Sequence, residues 1–169
     1  MVTDFEQALS TLTGGGVEFI VIGGVAGTLH GSAFITQDLD VVYAHNRENI
    51  RRLAAALQPH EPYLRGAPEG LPFHWDEPTI RNGLNFTLTT SFGDLDLLGE
   101  ATGGGAYEDL LPHSCEVSGF GVRFRLLNLD KLIVLKRAAG RPKDLVVVAE
   151  LQGILEKRKQ PSGPQPETH

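Results

Sequence analysis

Residues 19–43 read FIVIGGVAGTLHGSAFITQDLDVVY, and this stretch decides the fold. Its first four residues are apolar and stop at Gly23-Gly24, a pattern that predicts a buried strand running into a tight turn. Residues 25–30 can then form a short helix whose free N–H groups point back across the glycines, the geometry that attracts phosphate. The stretch therefore predicts a strand, a turn suited to phosphate and a short helix.

Two acids, Asp38 and Asp40, stand at the start of a second predicted strand, residues 39–43. Because successive strand side chains alternate faces, the two carboxylates point the same way, roughly 7 Å apart along the strand. Acids this close repel each other unless a cation lies between them. The pair therefore suggests a divalent metal site, although an Asp-x-Asp pair or a Gly-Gly turn taken alone is uninformative.

Length and composition favour one compact unit. The 169 residues include a single cysteine, Cys115, which argues against disulfides and suits a reducing compartment. Cys115 and the six histidines do not have the spacing of zinc ligands. The N-terminus lacks the features of a signal peptide, and no apolar run approaches the roughly 20 residues that cross a bilayer. We expect one domain over residues 1–159, a disordered tail over residues 160–169 and a cytoplasmic location.

The net charge of −6 is unevenly distributed. Residues 1–122 carry 5 Lys/Arg against 16 Asp/Glu, a net of −11, and residues 123–159 carry 10 against 4, a net of +6. An acidic half that holds the carboxylate pair, followed by a basic segment, suits a metal-bound polyphosphate. From charge counts alone, basic residues that line solvated helix faces are the simpler interpretation.

The rest of the chain alternates helical and strand patterns. A possible capping box, Thr3-x-x-Glu6, predicts the start of the first helix. Residues 58–82 contain five prolines and predict a long surface loop with one short strand near residues 71–75. The remaining patterns predict helices at residues 4–12, 46–57, 107–111, 128–139 and 142–157, strands at 84–90 and 95–98, and a hairpin of 115–117 with 122–125.

The motif GG at 23–24 followed by TQDLD at 36–40 resembles the DNA polymerase β-like nucleotidyltransferase superfamily and, more narrowly, the AbiEii-type small bacterial nucleotidyltransferases. The resemblance implies an α+β domain, with a mixed sheet of four to six strands and flanking helices mainly on one side. It also implies a third carboxylate on a strand antiparallel to the first pair. Asp96, between two leucines, fits that position better than Asp94, which lies nearer a turn.

The resemblance implies metal-dependent transfer of a nucleoside monophosphate group from an NTP to a hydroxyl of RNA, such as tRNA, or of a protein side chain. Asp38, Asp40 and Asp96 are then the catalytic residues and the ligands of Mg²⁺ or Mn²⁺, and Asp96 can accept the hydroxyl proton. The family alone suggests a toxin–antitoxin or phage-defence role and a cognate antitoxin as partner.

A second motif, Lys136-x4-Arg141-x-Lys143-Asp144, is similar to one in the later helices of AbiEii-type proteins. With it, the resemblance implies that nucleotide binding involves a set of five residues. From the residues alone, Asp144 as a plain helix-start residue and Arg141 or Lys143 as surface charges are equally good interpretations. The five residues that the resemblance implies for nucleotide binding are Gly23, Gly24, Thr36, Lys136 and Asp144.

Two positions depart from the pattern of these relatives. Phe34 stands about where they often carry an arginine, and Val146–Val148 stand where they carry an acid. The departures leave a second hypothesis open, a catalytically silent module that binds a nucleotide or a partner. P-loop and Rossmann sites are excluded, because the chain has neither G-x-x-x-x-G-K-[ST] nor G-x-G-x-x-G. An EF-hand is excluded, because the Gly and late Glu that it needs at fixed offsets from Asp38 are absent.

Overall fold

The computed structural model describes residues 2–160. The tail predicted at residues 160–169 lies outside the described residues apart from Gln160, and the single-domain boundary at residue 159 stays a prediction. The helices are α1 (Phe5–Gly14), α2 (Gly23–Leu29), α3 (Arg47–Leu57), α4 (Glu77–Asn82), α5 (Tyr107–Leu110), α6 (Leu129–Ala139) and α7 (Pro142–Lys159). The strands are β1 (Phe19–Ile22), β2 (Leu39–Tyr43), β3 (Tyr63–Leu64), β4 (Asn85–Thr90), β5 (Gly93–Leu98), β6 (Glu100–Ala101), β7 (Gly105–Ala106), β8 (Ser114–Gly119) and β9 (Val122–Leu127).

A mixed sheet dominates the structure, and flanking helices complete the predicted α+β class. Its strands lie in the order β3-β4-β5-β2-β1-β9-β8. Seven strands exceed the expected four to six, because the short β3 and both partners of the β8–β9 hairpin join the same sheet. The strands β6 and β7 form a separate two-stranded ladder.

The pairing of β2 with β5 corrects one expectation, because the two strands are parallel and not antiparallel. The connection through α3 lets β3 run in the same direction as β2. The chain then reverses twice, into β4 and into β5, and the two reversals cancel. The acid-bearing segments of β2 and β5 therefore lie side by side in the same direction.

The centre of the sheet is apolar because β1 is buried along its whole length, as its sequence predicts. Helix α1 packs Ala8, Leu9 and Leu12 into the core. Its N-cap is Asp4, which accepts the Gln7 N–H, so the predicted capping box of Thr3 and Glu6 is wrong. The Thr3 hydroxyl instead donates to the Gln37 carbonyl. Within residues 2–160, every helix is too short or too polar to cross a bilayer.

The loop over residues 58–82 is tied to the sheet at two places. Its strand is β3, at its beginning, and the strand predicted near residues 71–75 does not form. Trp75 is buried and packs edge-to-face on Phe86 of β4, with ring centroids 5.7 Å apart. Its aromatic ring therefore anchors the loop to the core.

Candidate active site

Three carboxylates gather where β2 and β5 run side by side. Asp40 and Asp96 are direct partners in the parallel pairing, and Asp38 lies in the bend just before β2, two residues before Asp40. Each offers an oxygen, and these three oxygens lie within 4.8 Å of one another. Asp40 Oδ1 is buried and has no hydrogen-bond partner. An oxygen-only set with an unpartnered buried carboxylate oxygen fits a hard divalent cation such as Mg²⁺ or Mn²⁺.

Asp40 is the carboxylate of this cluster whose negative charge is least favoured by its surroundings. Burial raises the pKa of Asp40 to about 8, helped by a hydrogen bond to Asp96 and by the negative charges of Asp96 and Asp38. Lys136 opposes this rise in pKa only weakly, as the smallest of the causes. The protein alone therefore holds a proton at a position that a cation would otherwise stabilise.

The twin glycines leave room for the side chains of this cluster. Gly23 has a φ of +67°, and a Cβ there would overlap the Asp40 carboxylate. A Cβ on Gly24 would overlap Thr36, whose hydroxyl donates to the Asp38 carbonyl at 3.2 Å. Both glycines are therefore required by close packing against Thr36 and Asp40, a reason that the sequence pattern did not reveal.

A cleft of ≈ 940 Å³ opens in front of the carboxylates. The segment between α2 and β2 forms one wall, and α6 and α7 contribute a basic wall with Lys136 and Lys143. Burial lowers the pKa of Lys136, and the negative charges of Asp144 and Asp40 partly oppose that shift. The cleft therefore combines carboxylates that suit a cation with side chains that suit an anion.

Asp144 lies at the start of α7 and is 3 % exposed. Its Oδ2 accepts from Arg141 Nε at 2.6 Å, and its Oδ1 accepts from Arg141 Nη2 at 3.2 Å. Burial alone would raise the pKa of Asp144, but the hydrogen bonds and positive charges of Arg141 and Lys136 outweigh it and lower the pKa. The carboxylate therefore fixes the helix start and orients Arg141 toward the cleft, whereas its predicted part in nucleotide binding stays a prediction.

Asp144→Asn is expected to lower the free energy of unfolding by about 1–2 kcal/mol near neutral pH, since hydrogen bonds to a charged group are lost. Because the folded pKa lies below the ordinary value of 3.8, this stabilisation is present above pH about 4. It disappears as the pH falls through the folded pKa. Urea unfolding at pH 7 and pH 3 measures the difference between variant and wild type.

Asp130→Asn is the matched control, because Asp130 is an exposed acid in the first turn of the neighbouring helix α6. We expect this variant to stay within about 0.5 kcal/mol of the wild type. An Asp144→Asn effect that is the same at both pH values would contradict the ion-pair account.

The structure brings most of the predicted site residues to one cleft. Gly23 packs behind Asp40, at the base of the carboxylate cluster. Arg65 and Asp94, which the sequence did not assign to the site, lie beside the carboxylates. One signal was available, since Arg65 is the only lysine or arginine between positions 53 and 80. The predicted residues that line the cleft are Gly24, Thr36, Asp38, Asp40, Asp96, Lys136 and Asp144.

Comparison with solved structures identifies the architecture. The lincosamide antibiotic adenylyltransferase LnuA, solved with lincomycin bound, matches with a TM-score of 0.59 and 14% identity, over 90% of this chain and 98% of its own. The chain has the nucleotidyltransferase fold. The Thermotoga maritima protein TM1012, which has been assigned as a nucleotidyltransferase, matches with a TM-score of 0.52 and 16% identity, over 94% of this chain and 97% of its own. No protein-family model and no curated protein matches the sequence. The nucleotidyltransferase fold expected from the sequence is thus confirmed, by structure alone.

Proposed function

We propose that the protein transfers a nucleoside monophosphate group from an NTP to a hydroxyl acceptor, with Asp38, Asp40 and Asp96 as the catalytic residues. The observation that carries this proposal is the convergence of the three carboxylates within 4.8 Å. In the reaction, the hydroxyl oxygen bonds to the α-phosphorus, and the bond from that phosphorus to the bridging oxygen breaks. Pyrophosphate leaves with the electron pair, and the hydroxyl proton passes to Asp96.

The same three carboxylates would hold the metal, and a bound Mg²⁺ or Mn²⁺ would offset the negative charge that develops on the phosphates. Lys136 and Lys143, on the basic wall, bind the β- and γ-phosphates. The backbone at Gly23 and Gly24 approaches the same phosphates. The proposed triphosphate would lie between the acidic floor and the basic wall of the cleft.

RNA such as tRNA and a protein hydroxyl are the acceptors that the family resemblance implies, and a toxin–antitoxin or phage-defence role with a cognate antitoxin belongs with them. LnuA is named for a lincosamide, a small molecule. Three exposed apolar side chains line the cleft: Phe34, Ile35 and Val146. They could contact a small acceptor with an apolar face, so we include such molecules among the proposed acceptors.

The test is a label-transfer assay. Each of the four NTPs, labelled at the α-phosphate, is incubated with the protein, Mg²⁺ or Mn²⁺, and three acceptor classes: bulk tRNA, a protein mixture and lincomycin. Label that enters an acceptor while pyrophosphate is released supports the enzyme. NTP binding without transfer to any of these acceptors supports the silent module. A protein that binds no NTP with either metal contradicts both.

Lys136→Gln is expected to weaken NTP binding by about tenfold, since a half-buried charge that faces the phosphates is lost. Lys131→Gln, on the same helix, is the matched control, because Lys131 does not line the cleft. Fluorescent NTP titration measures both dissociation constants. Equal affinities for the two variants would remove Lys136 from the site.

A further inference from the structure

Arg65, directly after β3, contacts the acidic floor of the cleft. Its Nη2 donates to the Leu88 carbonyl at 2.8 Å and lies 2.9 Å from Asp96 Oδ1. Its Nε lies 3.4 Å from Asp94 Oδ1, and its Nη1 lies 3.7 Å from Asp38 Oδ2. The contacts with Asp94 and Asp96 are ion pairs that lack hydrogen-bond alignment, because Arg65 Nε and Asp96 Oδ1 have no hydrogen-bond partner.

The sheet explains how Arg65 reaches these acids. Its backbone N–H donates to the Thr87 carbonyl, and Thr87 is the direct partner of Asp96 in the β4–β5 pairing. Arg65 thus lies two strand spacings from Asp96, roughly 10 Å between backbones, which an extended arginine side chain spans. The small side chain of Thr87 lies between them and leaves the path open.

The guanidinium approaches the cluster from one flank only. Its ion pairs are with Asp38, Asp94 and Asp96, and its side chain is 25% exposed. Asp40 is not among its partners, and Asp40 Oδ1 has no hydrogen-bond partner. Arg65 therefore partly neutralises the outer side of the cluster and leaves the Asp40 side open to the cleft.

Carboxylates that lie this close repel one another, and without a nearby cation their side chains would turn apart. A cation fixed on one flank keeps them gathered before a metal ion arrives. Outer partners that orient metal ligands in this way are usually needed for full metal affinity. Asp94 suits the remaining role, because it pairs with the Nε of Arg65 and lies outside the three proposed ligands.

We propose that Arg65 is a positioning residue, which holds Asp96 and Asp38 in the orientation that binds the metal, and that Asp94 keeps Arg65 in place. This inference rests on the proposed function, because it concerns the same metal site. The opposite role is also testable. If Arg65 only competed with the metal for the carboxylates, its removal would tighten metal binding.

The experiment is a titration of the full-length protein with MnCl2, in which electron paramagnetic resonance measures the free ion. For Arg65→Gln, the dissociation constant for Mn²⁺ is expected to rise by about tenfold or more. Arg65→Lys keeps the charge but loses the planar group that reaches several partners, so its affinity is expected between those of the wild type and Arg65→Gln. Asp94→Asn is expected to weaken binding in the same direction by a smaller factor.

Arg52→Gln is the matched control, because Arg52 also contacts a carboxylate, Glu48, and a backbone carbonyl, that of Gly16, but has no ion pair with a proposed metal ligand. Its Mn²⁺ affinity is expected to equal that of the wild type. Thermal unfolding of every variant identifies any that fail to fold. If Arg65→Gln fails to fold, the Mn²⁺ affinities of Arg65→Lys and Asp94→Asn test the positioning role.

Unchanged or tighter Mn²⁺ binding by folded Arg65→Gln would overturn the positioning role. A wild-type protein that binds no Mn²⁺ at millimolar concentrations would overturn it as well. The label-transfer assay judges the proposed function independently. Transfer by a wild-type protein whose Mn²⁺ affinity does not depend on Arg65 leaves the proposed function standing and removes only this inference.

Discussion

Asp40→Asn is expected to transfer label at about one thousandth of the wild-type rate, a loss of about 4 kcal/mol of transition-state stabilisation. Asparagine has nearly the same shape as aspartate, but it lacks the negative charge and turns an N–H₂ group or a neutral oxygen toward the cation. The rate is measured with saturating NTP and metal, with the acceptor that the label-transfer assay identifies.

The stability of the same variant separates catalysis from folding. Because the folded pKa of Asp40 is raised from 3.8 to about 8, the folded state binds more protons than the unfolded state between these values. The contribution of Asp40 to stability therefore falls as the pH rises through that window. Asp40→Asn removes this pH-dependent loss, so the variant is expected to be at least as stable as the wild type at pH 8.

Asp130→Asn serves as the control for activity, because Asp130 is exposed on α6 and does not line the cleft. It is expected to transfer label at the wild-type rate. An Asp40→Asn variant that transfers label as fast as this control would show that the carboxylate is dispensable, and the proposed chemistry at the cluster would then be wrong.

Local patterns in the sequence were sufficient to predict the elements that carry the site. A short apolar run ended by two glycines defines β1, and the spacing of Asp38 and Asp40 correctly predicts that their carboxylates lie close together, although Asp38 lies just before β2. The break at Gly140, with Pro142 in the first turn of the next helix, separates α6 from α7. Each of these features depends on residues within a few positions of one another.

Features that depend on distant pairing could not be predicted in this way. The direction of β5 relative to β2 follows from how the chain returns after α3, and no periodicity in either strand encodes it. Arg65 belongs to a loop with five prolines, and its approach to Asp96 depends on the pairing of Arg65 with Thr87. The sequence therefore indicated the three carboxylates, but not the Arg65 guanidinium beside them.

The acidic and basic parts of the chain both contribute charged residues to the cleft. The acidic half contributes the carboxylate cluster, and the basic segment contributes Lys136 and Lys143 on the opposite wall of the same cleft. Arg141 donates hydrogen bonds to the Asp144 carboxylate. This contact lowers the pKa of Asp144 and adds a further positive charge to this wall. The two halves therefore meet across one cleft. Lys136 is half-buried there, whereas Arg141 and Lys143 line the cleft but are exposed, as the simpler interpretation of solvated helix faces expects.

Gly23→Ala is expected to lower the free energy of unfolding by about 2–4 kcal/mol, from backbone strain and overpacking together. The backbone at Gly23 has a φ of +67°, which an L side chain rarely adopts, and the added Cβ would overlap the Asp40 carboxylate. Relief of that overlap requires the Asp40 carboxylate to leave its position in the cluster. Mn²⁺ affinity is therefore expected to fall together with stability, and urea unfolding and Mn²⁺ titration measure the two effects on the same sample.

Gly153→Ala is the matched control, because Gly153 lies within α7 and a Cβ there meets no atom within 4 Å. Alanine favours a helix interior over glycine by up to about 1 kcal/mol, so this variant is expected to be slightly more stable and to bind Mn²⁺ normally. The comparison tests the link between the turn and the carboxylate. Gly23→Ala with lowered stability and unchanged Mn²⁺ affinity would show that the glycine serves only the backbone, and that the position of Asp40 is set by its strand.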